Sequence, residues 1–308
     1  MQVHNNPAQL PAIKNPVVTI GTFDGVHLGH RQIIDTLRQE AGAAGGESVI
    51  VTFHPHPRKV VHSAILGVRL INTMEEKLEL LKVDHVVIVP FTDAFANQPA
   101  EEYVRDFLAG FLKPHTIIIG YDHRFGRDRT GNYELLEKLA PELGFRLKEI
   151  PRQMLDESAI SSTRIRKALL DGELELANQL LGYSFFFSGT VVHGDKLGRE
   201  LGYPTANLRQ DDEEKIIPAD GIYAVYASLH SQPAIRYRGM MSIGFRPTVD
   251  GSKRVTEVNL FDFNQEIYGQ TLRVYVQKFL RPEKKFDSLE ALTRQIDQDK
   301  ADSLKVLE

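Results

Sequence analysis

The chain has 308 residues, 42% hydrophobic and 25% charged, the make-up of an ordinary globular protein with enough length for two domains and substantial cores. Its net charge of −4 excludes a general pull toward nucleic acid or an anionic membrane, and the absence of cysteine excludes disulfides, thiolate catalysis and thiolate metal sites. The start, Met1-Gln-Val-His-Asn-Asn-Pro7, is neither basic nor apolar, and nowhere do about 18 apolar residues run together, so no export or membrane segment is expected and the cytoplasm is the expected location.

Short apolar runs over residues 17–20, 49–53, 86–89, 116–120 and 145–150 read as strands. Between them, residues 31–41, 74–81, 100–112 and 132–140 carry apolar side chains at helical spacing. Alternating strands and helices predict a Rossmann-like, doubly wound parallel sheet that binds ligands outside the carboxyl ends of its strands. Helices are expected at residues 162–170 and on through 181, with a seam at 182–184. Beyond it, residues 185–192, 221–228, 237–243, 254–261 and 272–279 read as strands separated by Gly, Pro and Asp turns, with a helix near 288–299. Strands in series without intervening helices predict a small antiparallel β-barrel closed by a terminal helix. The expected domains are 1–183 and 184–308.

Gly21-Thr-Phe-Asp-Gly-Val-His-Leu-Gly-His30 joins the end of the first strand to a helix N-terminus, where free backbone N–H groups and the helix dipole attract phosphate. His27 and His30, three apart, can face one anion, and Gly29 between them has no side chain to keep a ligand off the backbone. Their N–H donors can stabilise charge on a phosphate under attack; two partly exposed histidines at a helix start are the bland alternative. Val51-Thr-Phe-His-Pro-His-Pro57 reads as a structured loop lining the same crevice, with a metal pair at His54 and His56 lacking a third ligand nearby. Gly120-Tyr-Asp-His-Arg-Phe-Gly126 offers Asp122, Arg124 and Phe125 to a ligand, or is a salt-bridged loop. In Ile160-Ser-Ser-Thr-Arg-Ile-Arg166 one hydroxyl can cap the following helix, but three hydroxyls with two arginines favour a polyphosphate site.

The second domain carries Val192-His-Gly-Asp-Lys-Leu-Gly-Arg-Glu-Leu-Gly-Tyr-Pro-Thr-Ala-Asn207. Gly194, Gly198 and Gly202 recur every four residues and let backbone N–H groups approach an anion, while Lys196 and Arg199 add charge. The pattern is not a P-loop, and a glycine-rich surface loop is the alternative. Thr205 and Asn207, two apart in an extended segment, present hard oxygen ligands suited to Mg²⁺ on one face. In Val255-Thr-Glu-Val-Asn-Leu-Phe261, Glu257 can take a proton from a substrate hydroxyl attacking ATP, or is simply solvated or salt-bridged.

Together G-T-F-D-G-V-H-x-G-H, T-F-x-P-H-P, G-x-D-x-R-F-G and I-S-S-T-R-I-R resemble the adenylyltransferase domain of the bacterial bifunctional riboflavin kinase/FAD synthetase family. G-x-x-x-G-R-x-L-G-x-P-T-A-N, I-G-x-R-P-T, E-V-x-L-x-D-F and Leu280-Arg-Pro-Glu-Lys-Lys-Phe286 are similar to its riboflavin kinase domain, so the resemblance spans about residues 16 to 300. It implies that His27 and His30 bind the ATP triphosphate and stabilise the α-phosphorus as FMN attacks it, releasing FAD and pyrophosphate. Ser161, Ser162, Thr163, Arg164 and Arg166 would hold the outgoing phosphates; Phe23, Asp24, Gly25 and Gly29 would line the nucleotide site; and His56, Asp122, Arg124 and Phe125 would line the flavin crevice. In the kinase domain the resemblance implies that Thr205 and Asn207 coordinate Mg²⁺-ATP and that the glycine loop with Lys196 and Arg199 covers the phosphates. Glu257 would act as base on the riboflavin 5′-hydroxyl, yielding FMN and ADP, and Arg281 with the final helix would close over the flavin. Two positions depart from the family: His123 where Phe is common, and Ser242 where Asn is common. The rivals are a nucleotidylyltransferase acting on pantetheine phosphate or nicotinamide mononucleotide, and a flavin- or nucleotide-sensing protein without turnover. The sequence sets no oligomeric state.

Overall fold

A computed structural model describes residues 1–61, 70–120, 123–150, 160–194, 197–248 and 251–308. The chain forms two compact units, Met1–Ser162 and Thr163–Glu308.

The first unit is built on six parallel strands: β1 (Gln2–His4), β2 (Val17–Ile20), β3 (Ser48–His54), β4 (His85–Pro90), β5 (Thr116–Gly120) and β6 (Arg146–Ile150). Their order across the sheet is β1-β4-β3-β2-β5-β6. Near-continuous apolar runs such as Ser-Val-Ile-Val-Thr in β3 form central strands because both faces are covered. Val18, Ile20, Val49, Val51, Ile117 and Ile119 point to one core, whereas Val17, Ile50, Val86 and Ile118 point to the other.

Helices α1 (Leu28–Ala43), α2 (Pro57–Val61), α3 (Met74–Leu80), α4 (Asp93–Ala96), α5 (Ala100–Glu102, running into the π-helical Tyr103–Leu112) and α6 (Tyr133–Leu143) make the connections. Thr73 and Glu76 form a reciprocal capping box on α3, and Asn132 caps α6. Strand order reverses between β2 and β5, which opens a crevice at the loop after β2.

The second unit opens with α7 (Ser162–Leu170, its first residue the last of the first unit) and α8 (Leu174–Leu181). Both were expected to close the first domain. They group with the barrel because their buried face, with Ile165, Leu169, Leu174 and Leu181, comes with specific backbone ties. Asn178 accepts the Phe185 N–H at 2.7 Å and donates to the Val276 carbonyl at 3.0 Å, and Ala219 N–H donates to the Leu169 carbonyl at 2.9 Å.

A closed antiparallel barrel follows, built from β7 (Phe186–Val192), β8 (Ala206–Arg209), β9 (Gly221–Leu229), β10 (Tyr237–Thr248), β11 (Gly251–Leu260) and β12 (Thr271–Arg281) in the order β10-β11-β8-β7-β12-β9. The short α9 (Leu197–Glu200) lies between β7 and β8. The terminal α10 (Leu289–Val306) is capped by Ser288, and its end packs Leu307 with Ala224, Met240 and Phe261.

Candidate active sites

In the first unit the chain leaves β2 through a loop in which Phe23 (φ 47°), Gly25 (φ 90°) and Val26 (φ 34°) all take left-handed backbone. Two of these are not glycine, a costly conformation that persists where surrounding contacts impose it. Asp24 is 1% exposed, and its Oδ1 accepts the N–H groups of Ile71 and Asn72 at 2.9 and 3.2 Å. Ser162 Oγ donates to the Asp24 carbonyl at 2.8 Å, and Phe23 is buried in the core with Val26, Ile34 and Leu37. Phe23 and Asp24, expected to line the nucleotide site, also hold the shape of its loop.

His27 N-caps α1: its Nδ1 accepts the His30 N–H at 3.3 Å, which leaves the proton of the neutral ring on Nε2. The His27 and His30 rings stack at 3.6 Å with 14° between their planes. A Cβ on Gly29 would touch the His27 ring at 3.4 Å, so the glycine keeps that face open. Burial, then the neighbouring His27 and Lys77, push the His30 imidazolium well below its usual range. His30 Nδ1 is buried without a hydrogen-bond partner among the described residues, the kind of orphan that a ligand satisfies.

Lys77, on α3, was not among the expected site residues. It is 6% exposed, and its Nζ donates to the Thr22 carbonyl at 2.7 Å. Burial pushes its ammonium down to about 8 despite the nearby Asp24 carboxylate.

The other expected residues of this unit divide. His56 is buried and its Nδ1 accepts the Arg58 N–H at 3.2 Å, capping α2. Phe125 packs in the core, 5.2 Å from the Tyr103 ring, so it supports its loop from beneath, while Arg124 is exposed. Asp122 lies outside the described residues. No group of three His, Asp or Glu residues able to hold a metal occurs among the described residues, so His54 and His56 gain no third ligand. Ser161 is half-buried just before α7; Thr163, Arg164 and Arg166 lie in its first turns, in the second unit.

The second unit holds a cavity of about 1740 Å³ lined by Thr205, Asn207, Glu257, Arg246 and Arg281 among others. Pairing of β8 with β11 sets Asn207 opposite Glu257, and Thr205 Oγ1 donates to Glu257 Oε1 at 3.3 Å. The side chain of Asn207 lies where a Cβ on Gly194 would be, which accounts for the first glycine of the loop. Gly198 accepts the Tyr203 N–H at 2.7 Å, and Gly202 is left-handed with φ 83°. Arg199 is exposed on α9, and Lys196 lies outside the described residues.

Arg281, expected at the flavin, is held by α10: its Nε and Nη2 donate to the two oxygens of Asp299 at 2.8 and 2.6 Å, and Asp299 is 4% exposed. Arg246, of I-G-x-R-P-T, and Glu283, of the segment 280–286, were not among the expected site residues. Arg246 Nη2 donates to Glu257 Oε2 at 3.0 Å and its Nη1 to Glu283 Oε1 at 2.9 Å.

Two family models match the chain in tandem: FAD synthetase over residues 10–164 and riboflavin kinase over 181–307. Bifunctional riboflavin kinase/FMN adenylyltransferases are similar along nearly its whole length. That of Listeria monocytogenes is 38% identical over 293 residues, covering 94% of this chain and 91% of the relative. That of Escherichia coli K12 is 38% identical over 299 residues, covering 96% and 93%. A crystal structure described as a macrolide-efflux protein from Streptococcus pneumoniae aligns over 97% of both chains with TM-score 0.85 and 33% identity. Among the described residues of this chain no helix is long and apolar enough to cross a membrane. With a histidine-bearing parallel sheet followed by a Thr-Asn-Glu barrel, each under its own family model, the chain belongs to the bifunctional riboflavin kinase/FMN adenylyltransferase family.

Proposed function

We propose that the barrel unit transfers the γ-phosphoryl group of ATP to riboflavin, and that the parallel-sheet unit transfers the adenylyl group of a second ATP to the resulting FMN. The observation that carries this reading is the convergence of Thr205, Asn207 and Glu257 on one wall of the cavity. In the kinase step Glu257 takes the proton of the riboflavin 5′-hydroxyl as its oxygen bonds to the γ-phosphorus and the bond to ADP breaks. Thr205 Oγ1 and Asn207 Oδ1 are hard oxygen donors brought to one place, which fits Mg²⁺. Bound there, Mg²⁺ would neutralise charge on the ATP phosphates. Gly194 and Gly198 let the loop backbone come close to those phosphates.

In the second step FMN phosphate oxygen attacks the α-phosphorus, and pyrophosphate leaves. His27 Nε2–H and the orphan nitrogen of His30 serve as neutral polar partners of the phosphates, with positive charge supplied by the buried Lys77 ammonium. No covalent intermediate is needed, because positioning and charge neutralisation carry the transfer. The cytoplasm is the location this reading supposes for both steps.

A chromatographic time course of flavin products from riboflavin, ATP and Mg²⁺ tests both sites at once. His27→Ala with His30→Ala should stop FAD formation while FMN accumulates, and Glu257→Ala should abolish FMN formation from riboflavin while FAD still forms from supplied FMN. Loss of both activities in both folded variants would refute the two-site assignment. Binding without any FMN or FAD would point instead to a sensor.

A further inference from the structure

The carboxylate of Glu257 is held from two sides. Thr205 engages one oxygen, and Arg246 engages the other through the Nη2 donor at 3.0 Å. The second arm of the same guanidinium is bound to Glu283 at 2.9 Å, so Arg246 on β10 bridges an acid on β11 to an acid beyond the end of β12. Ser242, opposite Glu257 in the β10–β11 ladder, adds longer contacts of 3.4 Å to both Arg246 and Glu283. The side chains are 37% exposed for Arg246, 24% for Glu257 and 31% for Glu283, so water only partly screens the pairs. Two further arginines of the cavity wall are committed elsewhere: Arg254 to Asp220 at 2.7 Å and Arg281 to Asp299.

Gly244 leaves the space that the Glu283 carboxylate occupies. A Cβ placed on it would collide with the Glu283 carboxylate. The glycine of Ile243-Gly-Phe-Arg246 thus leaves room for the acid of Leu280-Arg-Pro-Glu283, and that acid fixes the arginine two residues after the glycine. Two segments far apart in sequence act as one device directed at Glu257.

We propose that Arg246, anchored by Glu283, is a positioning residue of the kinase step, holding the Glu257 carboxylate in the orientation from which it takes the substrate proton. This rests on Glu257 being the base. A fixed base raises turnover without binding either substrate more tightly, so the role belongs to kcat rather than to KM.

The test is steady-state riboflavin phosphorylation by the full chain, with urea unfolding of the same preparations as the control for folding of the barrel and FMN adenylylation as that for the first unit. Arg246→Gln should lower the kinase kcat roughly ten- to a hundredfold while both KM values stay within about threefold, and Arg246→Lys should recover part of the loss. Glu283→Gln should lower kcat by a smaller factor, and adding it to Arg246→Gln should cost nothing further, because the two act as a unit. An Arg246→Gln effect confined to KM for ATP, or multiplying losses in the double variant, would overturn the proposal and make Arg246 a phosphate contact. Glu257→Gln separates the two levels. If it is inactive while Arg246→Gln turns over normally, the positioning role falls alone; if it keeps wild-type kcat, the base assignment falls and takes the positioning role with it.

Discussion

Replacing Lys77 with Met keeps the length of a side chain that is 6% exposed but removes its charge and its bond to the Thr22 carbonyl. Burial holds the native ammonium at about 8, against 10.5 when unburied. Between those values the unfolded chain binds the proton and the folded one does not, so unfolding free energy rises with pH across the window. Below pH 8 both states are protonated and the gain is absent. A shift of this size corresponds to about 3 kcal/mol, gained between pH 8 and 10.5. Other groups titrate there too: burial raises the Tyr103 phenol, which works in the opposite direction. The informative quantity is therefore the wild-type curve minus the Lys77→Met curve, from urea unfolding of the full chain at several pH values. The gap should widen in favour of wild type by about 2–3 kcal/mol from pH 7.5 to 10.5. In lysine-labelled protein, the ¹³Cε resonance missing from Lys77→Met should titrate near pH 8. Parallel stability curves, with that resonance titrating at the usual lysine pH, would refute the reasoning and return Lys77 to the solvent. Adenylyl transfer should also weaken through the same pH 8 region in wild type, as the fixed charge beside His30 is lost.

Gly194→Ala should raise KM for ATP in the kinase assay and leave adenylylation of supplied FMN unchanged, since a Cβ there displaces Asn207. Gly244→Ala should lower kinase kcat as Glu283→Gln does and add nothing in a Glu283→Gln background, a cycle read by the same kinetics. Asn178→Ala leaves the Phe185 N–H and Val276 carbonyl without their partner and should destabilise the barrel unit by roughly 1–3 kcal/mol in urea unfolding. Thr73→Ala removes one half of the α3 capping box and should cost about 1 kcal/mol in the first unit.

What the sequence revealed follows from the range over which each signal acts. Central strands such as β3 are apolar along their length, so the sheet was legible; β1 is three residues, Gln-Val-His, and owes its existence to pairing with β4, more than eighty residues away. The start of α1 lies earlier than periodicity indicated because a histidine, not a Ser or Asp, supplies the cap. An amphipathic face states that α7 and α8 are buried but not against what, and Asn178 is what ties them to the barrel.

The same limit separates the two kinds of site residue. His27 with His30, and Thr205 with Asn207, are close in sequence and announce themselves by spacing. Arg246 and Glu283 stand inside recognisable motifs and Lys77 inside a helix, but all three meet their partners only through barrel register or helix docking, so no local pattern states their role. Phe23 and Asp24 show the converse. They stand inside the most recognisable motif, yet the structure uses them to hold Val26 and Gly25 in left-handed backbone and to anchor residues 71 and 72. A strong motif therefore encodes the shape of a loop as much as the groups that touch a ligand. The glycine–glutamate fit at Gly244 is the same principle acting between segments: a residue without a side chain makes sense only when the distant carboxylate that fills its place is known.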